Sequence, residues 1–317
     1  MTSDSFDSVA LDVFRFQYSN NATYRQFCDL IGRSSDDVDS VSNIPFLPIR
    51  FFKALGITTG DFAPDIVFES STTTGQVPSR HYVRSLEWYQ SVCEKGFSSV
   101  YDTEPKDHAW YGLLPSYLER PNASLVFMVQ HFVNNGGGGF YIDQFEALFD
   151  DIQDTLSSGR SIVLIGVSFA LLAFVEKYTI DRPNLMIVET GGMKGRGKEL
   201  TRAQLHGVLQ RAFPSSPILS EYGMTELLSQ GWTKGGERFY PASTMKVQIR
   251  ELSDPLSIAP NGQRGAINCI DLANIDSCAF IATDDAGIVY DDQSFEVLGR
   301  LDGSEQRGCN LMFENRI

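Results

Sequence analysis

The stretch SEYGMTE, residues 220–226, combines an aromatic ring, a glycine, a hydroxyl and a carboxylate at the predicted end of a β-strand. The face of the Tyr222 ring is suited to stacking on an adenine, and Gly223 leaves room beside it. Glu226 offers the hard oxygen ligands that magnesium takes together with phosphate oxygens. The combination predicts a site for a nucleotide and its metal. Taken alone, the stretch also fits an ordinary strand-to-helix turn.

A second segment, upstream, carries five hydroxyl side chains in a row before a glycine, and Arg80 follows shortly after. Its members are Ser70, Ser71, Thr72, Thr73, Thr74 and Gly75. Backbone N–H groups in a glycine-containing turn form a concavity for anions, and hydroxyls donate further hydrogen bonds to phosphate oxygens. The composition predicts a cradle for a triphosphate. A solvated polar loop is the alternative interpretation.

The chain between residues 160 and 221 alternates between predicted strands and helices. Strands are predicted at 161–165, 185–188 and 218–220, with an apolar helix after the first strand and a second helix at about 198–212. This alternation favours an α/β fold with a parallel sheet. Ligands bind beyond the carboxyl ends of such strands, where both the Tyr222 motif and a glycine loop after residue 190 fall.

Outside that region the predicted elements are shorter. Residues 125–129 are predicted as a buried strand and residues 134–139 as a glycine loop. Strands are also predicted at 245–250, 266–272 and 295–298.

Composition indicates an ordinary globular protein with 317 residues, 42% hydrophobic content and a net charge of -14. This charge excludes the clustered Lys and Arg that nucleic acid or an anionic membrane would require. The most apolar stretch, residues 162–175, is shorter than the ~20 residues of a membrane-spanning helix. The five scattered cysteines and the acidic start of the chain favour a reducing cytoplasm, without a structural zinc site, a disulfide framework or a secretory signal.

With these motifs in place, the chain resembles the acyl-protein synthetases of the adenylate-forming superfamily, typified by the synthetase subunit of the bioluminescence fatty-acid reductase and related to phenylacetate-CoA ligases. The resemblance covers nearly the whole chain. It rests on residues 24–28, 44–48, 114–120, 189–196, 222–226, 281–285 and 299–309. It implies the large N-terminal domain of an adenylate-forming enzyme, with mixed sheets flanked by helices, over residues 1–298. A hinge and short tail would occupy 299–317, without the full small C-terminal lid domain.

The resemblance also implies roles for individual residues. Residues 70–75 would hold the triphosphate of ATP, Gly191 and Gly192 would line the adenine and acyl pocket, and Tyr222 would stack on adenine. Thr225 and Glu226 would meet the phosphates and Mg²⁺. Asp285 would accept hydrogen bonds from the ribose hydroxyls, with Arg300 near ribose or phosphate and Asp302 as the hinge.

Three departures from the family pattern stand out. Thr72 occupies a position where the family has glycine, and its Cβ resists positive φ angles. The base that ends the loop is Arg80 rather than lysine, with a different donor geometry. The catalytic lysine of the lid domain has no counterpart, and Lys194 in the glycine loop is the candidate for its charge. A solvated loop lysine is the alternative.

The implied chemistry is ATP-dependent activation of a carboxylic acid, expected to be a fatty acid, followed by transfer of the acyl group to a thiol. Cys309 beside Arg307 is the candidate thiol, because a neighbouring cation lowers a thiol pKa. The expected partner is then a fatty-acid reductase. Coenzyme A is the alternative acceptor, which would make the chain an acyl- or aryl-CoA ligase.

Two hypotheses of other classes stay open. The sequence around Ser168, GVSFA at 166–170, lies between a strand and a helix and imitates the nucleophile elbow of a serine hydrolase, with His206 as the downstream histidine. The chain would also fit a non-catalytic relic that binds a nucleotide or a partner, since a fold does not guarantee its chemistry.

Overall fold

The computed structural model of the chain describes residues 3–71, 77–115, 122–191 and 200–301. The α-helices of this part are Ser3–Asn20, Ala22–Leu30, Phe51–Ala54, Leu86–Tyr101, Ser124–Gly136, Phe145–Ser157, Ser168–Val175 and Arg202–Ala212, and short 3-10 turns are Val41–Asn43 and Pro105–Asp107. The strands are β1 (Leu47–Pro48), β2 (Ile66–Glu69), β3 (Arg80–Val83), β4 (His108–Leu113), β5 (Gly138–Tyr141), β6 (Ser161–Val167), β7 (Leu185–Thr190), β8 (Ile218–Tyr222), β9 (Gly231–Thr233), β10 (Phe239–Pro241), β11 (Met245–Arg250), β12 (Arg264–Asp271), β13 (Phe280–Val289) and β14 (Phe295–Arg300).

The residues form two compact units. The first unit comprises Met1–Gly96, Gly223–Gln230 and Pro241–Ile317, and the second comprises Phe97–Tyr222 and Gly231–Tyr240. The predicted domain boundary at residue 298 stays a prediction, since residues 302–317 lie outside the described part.

The first unit is built on the antiparallel strands β11, β12, β13 and β14, with β1 pairing in parallel with β13. Strands β2 and β3 form a separate hairpin. Aromatic rings from the N-terminal helices, Phe14 and Tyr24, pack against Phe280 of β13. The Tyr24 hydroxyl donates to the Pro45 carbonyl oxygen at 2.6 Å, so this buried ring keeps a partner for its polar atom.

The second unit contains a run of neighbouring strands in the order β10-β9-β8-β7-β6-β4-β5. Strands β5, β4, β6, β7 and β8 are parallel, and β9 runs antiparallel to β8. The predicted alternation of strand and helix over 160–221 is therefore confirmed. Every residue of β6 after Ser161 is buried, as expected for a central parallel strand.

The predicted strand at 125–129 is wrong, because these residues belong to the helix Ser124–Gly136. The buried positions of this helix are Met128, Val129, Phe132 and Gly136, which recur with the period of a helix over thirteen residues. The five-residue apolar run alone did not contain enough residues to show that period.

The predicted glycine loop at 134–139 is also wrong in part. Gly136 ends the helix, and β5 begins at Gly138. Gly138 has φ of +108°, and a Cβ on it would lie 2.0 Å from the Trp110 carbonyl oxygen. Glycine is thus required here because β5 approaches β4 closely.

Candidate functional site

The hydroxyl-rich segment begins at the end of the β2–β3 hairpin in the first unit. Glu69 pairs with Arg80 in the hairpin register. Beyond that pair the Ser70 N–H donates to the Ser79 carbonyl oxygen at 3.0 Å, and the Ser79 N–H donates to Ser70 Oγ at 2.8 Å. Ser70 and Ser79 therefore hold the ends of the segment together, while Ser71 and Arg80 are exposed.

Glu226 lies in a turn of the same unit and is only 5% exposed. Burial raises the pKa of its carboxyl, while a hydrogen bond from the Ser79 side chain, the Glu226 N–H and the charges of Arg300 and Lys53 act in the opposite direction. Burial prevails, so the negative charge of Glu226 is incompletely compensated by the chain.

Asp271 holds the chain just after Glu226. Its carboxylate accepts from the Leu228 N–H at 2.7 Å, from the Ser229 N–H at 3.0 Å and from the Ser229 hydroxyl at 2.6 Å. Burial nonetheless raises the pKa of Asp271 above its ordinary value, against these hydrogen bonds. The loop is thereby tied to the end of β12.

His81 and Asn274 hold the main chain of Thr225 and Glu226 themselves. His81 Nδ1 lies 2.8 Å from the Thr225 carbonyl oxygen, and His81 Nε2 lies 3.0 Å from Asn274 Oδ1. Asn274 Nδ2 donates to the Glu226 carbonyl oxygen at 2.8 Å. Three side-chain contacts therefore fix the two carbonyl groups of the motif.

A pair of charged residues lies where β13 meets β14. Asp285 is opposite Arg300 in the register, and Arg300 Nε lies 3.4 Å from Asp285 Oδ1. The adjacent Asp284 lies 3.8 Å from Arg50. The Arg300 side chain is largely exposed, whereas the Asp285 side chain is mostly covered.

The second unit has its own buried polar cluster at the carboxyl ends of β7 and β8. Glu189, 7% exposed, accepts from the Ser220 hydroxyl at 2.6 Å. Arg202 Nε lies 3.5 Å and His206 Nε2 lies 3.8 Å from the same carboxylate oxygen. Burial raises the pKa of Glu189, but the hydrogen bonds from His206 and Ser220 and the charge of Arg202 outweigh it, and the pKa is lowered.

Helix Arg202–Ala212 presents Arg202 and His206 on one face, since they are four residues apart. Its start is fixed by a capping box, in which the Thr201 hydroxyl accepts from the Gln204 N–H at 3.2 Å and Gln204 Oε1 accepts from the Thr201 N–H at 3.0 Å. The local sequence thus determines how Arg202 and His206 are presented to Glu189.

Glu221 lies beside this cluster and titrates near neutral pH. Burial raises the pKa of Glu221 to about 7; the hydrogen bond that Thr190 donates at 2.5 Å opposes the rise, and the charge of Glu189 adds to it. The next residue, Tyr222, is buried, and its ring centroid lies 5.9 Å from that of Phe239.

The predicted site residues are distributed over the two units. The first unit holds Ser70, Ser71, Arg80, Gly223, Thr225, Glu226, Asp285 and Arg300, and the second holds Gly191 and Tyr222. Within the first unit, the fold brings Glu226 to the hairpin end and within electrostatic range of Arg300. The predictions for Thr72, Thr73, Thr74, Gly75, Gly192, Lys194, Asp302 and Cys309 fall outside the described residues.

The serine-hydrolase hypothesis receives no support from Ser168. This side chain is buried, and its hydroxyl lies 3.4 Å from Glu189 Oε2. His206 Nε2 instead lies 3.0 Å from the Ser220 hydroxyl. A nucleophile requires the histidine as the base for its own hydroxyl, and this arrangement pairs the histidine with a different serine.

Sequence reasoning missed the residues that hold the site, namely Ser79, His81, Asp271 and Asn274. His81 lies 144 residues before Thr225 along the chain, and Ser79 lies further away still, so no local spacing connects these two residues with Glu226. The one available signal was the polar pair Ser79 and His81 flanking Arg80 directly after the hydroxyl-rich segment.

No group of three or more His, Cys, Asp or Glu side chains in the described residues is placed to hold a metal ion. No helix in the same ranges is long and apolar enough to cross a bilayer.

The fold is that of the adenylate-forming enzymes. A crystal structure of 2-hydroxyisobutyryl-CoA ligase in complex with 2-HIB-AMP and CoA has a TM-score of 0.70 with 13% identity, covering 96% of this chain and 70% of that one. ATP-bound MatB from Rhodopseudomonas palustris has a TM-score of 0.54 with 14% identity over 76% of this chain. The chain spans about half the length of MatB, 49%.

Sequence comparison narrows this class to one family. The family model described as acyl-protein synthetase, LuxE, matches residues 2–317. Long-chain-fatty-acid–luciferin-component ligases are 25% identical in Vibrio harveyi, over 94% of this chain and 84% of the relative, and 26% identical in Aliivibrio fischeri, over 98% and 88%. The chain belongs to the LuxE acyl-protein synthetase family, and the predicted family and fold class are confirmed.

Proposed function

We propose that the chain activates a carboxylic acid with ATP, forming an acyl-adenylate and pyrophosphate, and then transfers the acyl group to a thiol. The observation that carries this proposal is the contact of His81 Nδ1 with the Thr225 carbonyl oxygen at 2.8 Å, which places the strand that follows the hydroxyl-rich segment beside the motif. A phosphate cradle and a metal-binding carboxylate must be adjacent for this chemistry.

Magnesium fits this part of the chain. Glu226 is a buried hard oxygen donor whose pKa burial raises, and magnesium binds one or two such carboxylates together with phosphate oxygens. When bound, the ion would neutralise charge on the phosphates. Glu226 would hold it, and Thr225 would meet the phosphate.

In the first step, an oxygen of the substrate carboxylate attacks the α-phosphorus of ATP. The bond from that phosphorus to the bridging oxygen breaks, and pyrophosphate leaves with the electron pair. The protein contributes positioning and charge stabilisation. Residues 70–75 with Arg80 would hold the triphosphate, and Lys194 would add positive charge at the transferred group.

The roles at the nucleoside are those that the family resemblance implies. Tyr222 would stack on adenine, Gly191 and Gly192 would line the adenine pocket, and Asp285 would accept from the ribose hydroxyls. Arg300, paired with Asp285, would approach ribose or phosphate at the start of the proposed hinge, residues 299–317. The charge of Arg300 also acts on Glu226, which supports a common role for these groups.

In the second step, a thiolate sulfur attacks the acyl carbon, the bond from that carbon to the phosphate oxygen breaks, and AMP leaves. All four described cysteines, Cys28, Cys93, Cys269 and Cys278, are buried. Burial raises the pKa of both Cys28 and Cys278 to about 12, which suppresses the nucleophilic thiolate. The acceptor is therefore Cys309, outside the described residues, or an external thiol such as coenzyme A.

A fatty acid is the proposed substrate class, since the relatives in Vibrio harveyi and Aliivibrio fischeri are named as long-chain-fatty-acid ligases. Acyl transfer from Cys309 to a reductase partner is the proposed continuation. With coenzyme A as acceptor, the chain would release an acyl thioester instead.

The test is ATP–pyrophosphate exchange with magnesium over short-chain, long-chain and aromatic acids, because exchange reports the first step without a thiol acceptor. We expect exchange that depends on a long-chain acid. In parallel, radiolabelled acid with ATP should label the wild-type chain covalently and leave Cys309→Ser unlabelled but active in exchange. Nucleotide binding without exchange for any acid would overturn the proposal and favour a non-catalytic relic.

A further inference from the structure

The candidate site depends on main-chain positions that nothing in the motif itself fixes. Thr225 and Glu226 lie in a turn closed by a hydrogen bond from the Leu227 N–H to the Met224 carbonyl oxygen at 3.1 Å. A single turn of this kind is a weak restraint, since the net free energy that one hydrogen bond contributes is small. The direction in which the Glu226 side chain points must therefore be set by groups from elsewhere in the first unit.

We propose that His81 is a positioning residue for Glu226: its imidazole, held between the Thr225 carbonyl oxygen and the Asn274 side chain, fixes the main chain that presents the Glu226 carboxylate to a bound nucleotide and its metal. The inference rests on the proposed function, and deepens it by adding a residue outside the motif.

The geometry around His81 supports this role. The side chain is 1% exposed and both ring nitrogens face oxygen atoms, at 2.8 Å for Thr225 and 3.0 Å for Asn274. Asn274 in turn donates to the Glu226 carbonyl oxygen. The ring of Phe52 contacts the imidazole edge-on at 6.0 Å between centroids, which restricts its orientation.

The position of His81 along the chain connects two parts of the site. His81 is in β3, two residues after Ser79, which closes the hydroxyl-rich segment through its hydrogen bonds with Ser70. One short stretch thus closes the hydroxyl-rich segment through Ser79 and holds the Thr225 carbonyl group through His81.

The two ring nitrogens are not equivalent in this role. A neutral imidazole donates only one hydrogen bond, whereas both neighbouring atoms are acceptors. Burial lowers the pKa of His81, against both hydrogen bonds, which favours the neutral ring. With the proton on Nδ1, at the shorter contact, the ring donates to the Thr225 carbonyl oxygen, whereas Nε2 and Asn274 Oδ1 meet as two acceptors without a hydrogen bond between them. The hydrogen bond to Thr225 is therefore the one that holds the main chain.

The three test variants follow from that assignment. His81→Asn places an amide N–H near the position of Nδ1 and keeps the donor to Thr225. His81→Gln places its amide near Nε2 and keeps only the contact with Asn274. His81→Phe fills the space without a donor. His108→Phe is the matched control, because it removes a buried imidazole from the second unit, where His108 Nε2 lies 3.2 Å from the Thr103 hydroxyl.

Two measurements separate the outcomes. The first is amide hydrogen exchange of Leu227, Leu228 and Ser229 in the protein without ligand, which should be about tenfold faster in His81→Phe and close to wild type in His81→Asn. The second is the Kd for Mg-ATP by calorimetry, which should rise about tenfold in His81→Phe, the loss of one hydrogen bond, and recover to within about threefold in His81→Asn only.

Unchanged amide exchange and unchanged Kd in folded His81→Phe would overturn the inference while leaving the proposed function intact. Equal recovery by the Asn and Gln variants would also contradict it, since a structural role of the buried ring does not distinguish the two nitrogens. If the wild-type chain does not bind Mg-ATP, the proposed function fails, and the amide exchange alone decides whether His81 positions the loop.

Discussion

Glu226 in the first unit and Glu189 in the second are both buried glutamates next to a strand end, yet their pKa values shift in opposite directions. Burial decides the shift at Glu226, whereas the surrounding hydrogen bonds and charges decide it at Glu189. The Glu189 carboxylate has Ser220, His206 and Arg202 as partners, and together they lower its pKa against the effect of burial. The pKa of Glu226 is raised, because burial outweighs the effects of Ser79, of its own N–H and of the charges of Arg300 and Lys53.

The difference concerns how far the surrounding chain compensates a buried charge. A buried charge that is fully compensated by its own chain stabilises the fold and has little free energy to gain from a ligand. A buried charge that is compensated in part costs stability in the unliganded protein and gains free energy when a cation arrives. Burial also raises the pKa values of Asp271 and Glu221, so a raised pKa does not by itself mark a ligand-binding carboxylate. Together with its place in the motif at 222–226, it favours Glu226 over Glu189 as the residue that would hold the proposed metal.

The largest expected effect is on activity, from Glu226→Gln. This change should lower the rate of ATP–pyrophosphate exchange at least about a thousandfold, equivalent to about 4 kcal/mol, because the amide loses the charge that holds the metal. The raised pKa of Glu226 means that its ionised form opposes folding at neutral pH, so the variant should unfold at the same denaturant concentration as wild type or a higher one. Exchange that survives the substitution would remove Glu226 from the site.

Glu189→Gln should show the opposite pattern. Breaking the contacts with Arg202 and Ser220 should lower the free energy of unfolding by about 3 kcal/mol near neutral pH. Because the pKa of Glu189 is lowered in the folded state, its contribution is present above the unfolded pKa and is lost as pH falls through the folded value. Urea titrations from neutral to acidic pH measure this, and a difference that persists in acid would contradict the assignment.

The smallest effect is expected at Glu221. Its folded pKa of about 7 lies above the ordinary value of 4.5, so its protonated form stabilises the fold and that stability is lost as pH rises from the lower value through the higher one. Glu221→Gln should keep the hydrogen bond from Thr190 and be about 2 kcal/mol more stable than wild type at mildly alkaline pH, with little difference near the unfolded pKa.

Glu221 also provides a test of the charge on Glu189, because that charge contributes to the raised pKa of Glu221. In Glu189→Gln the pKa of Glu221 should fall toward, without reaching, its ordinary value, since burial remains. An unchanged pH profile of stability in that background would show that the two carboxylates do not interact.

The pattern of apolar residues predicted those strands and helices that a short window of the sequence defines. The alternation over 160–221 predicted β6, β7 and β8 with their helices, because a buried parallel strand and an amphipathic helix differ in length and period within a short window. The strand predicted at 125–129 was wrong because five apolar residues fit either element, and the thirteen-residue period of the helix decided between them.

The sequence by itself determined the family, the α/β class and the identity of the motif at 222–226, since these depend on residue types and their order along the chain. Only the tertiary structure decided which glutamate is compensated and which is not. The capped helix Arg202–Ala212 places Arg202 and His206 next to the Glu189 carboxylate. For Glu226, Ser79 acts on the pKa of the carboxyl, and His81 and Asn274 contact the main chain at Thr225 and Glu226. Burial and hydrogen bonding act through space, and they shift the pKa values of identical side chains in opposite directions.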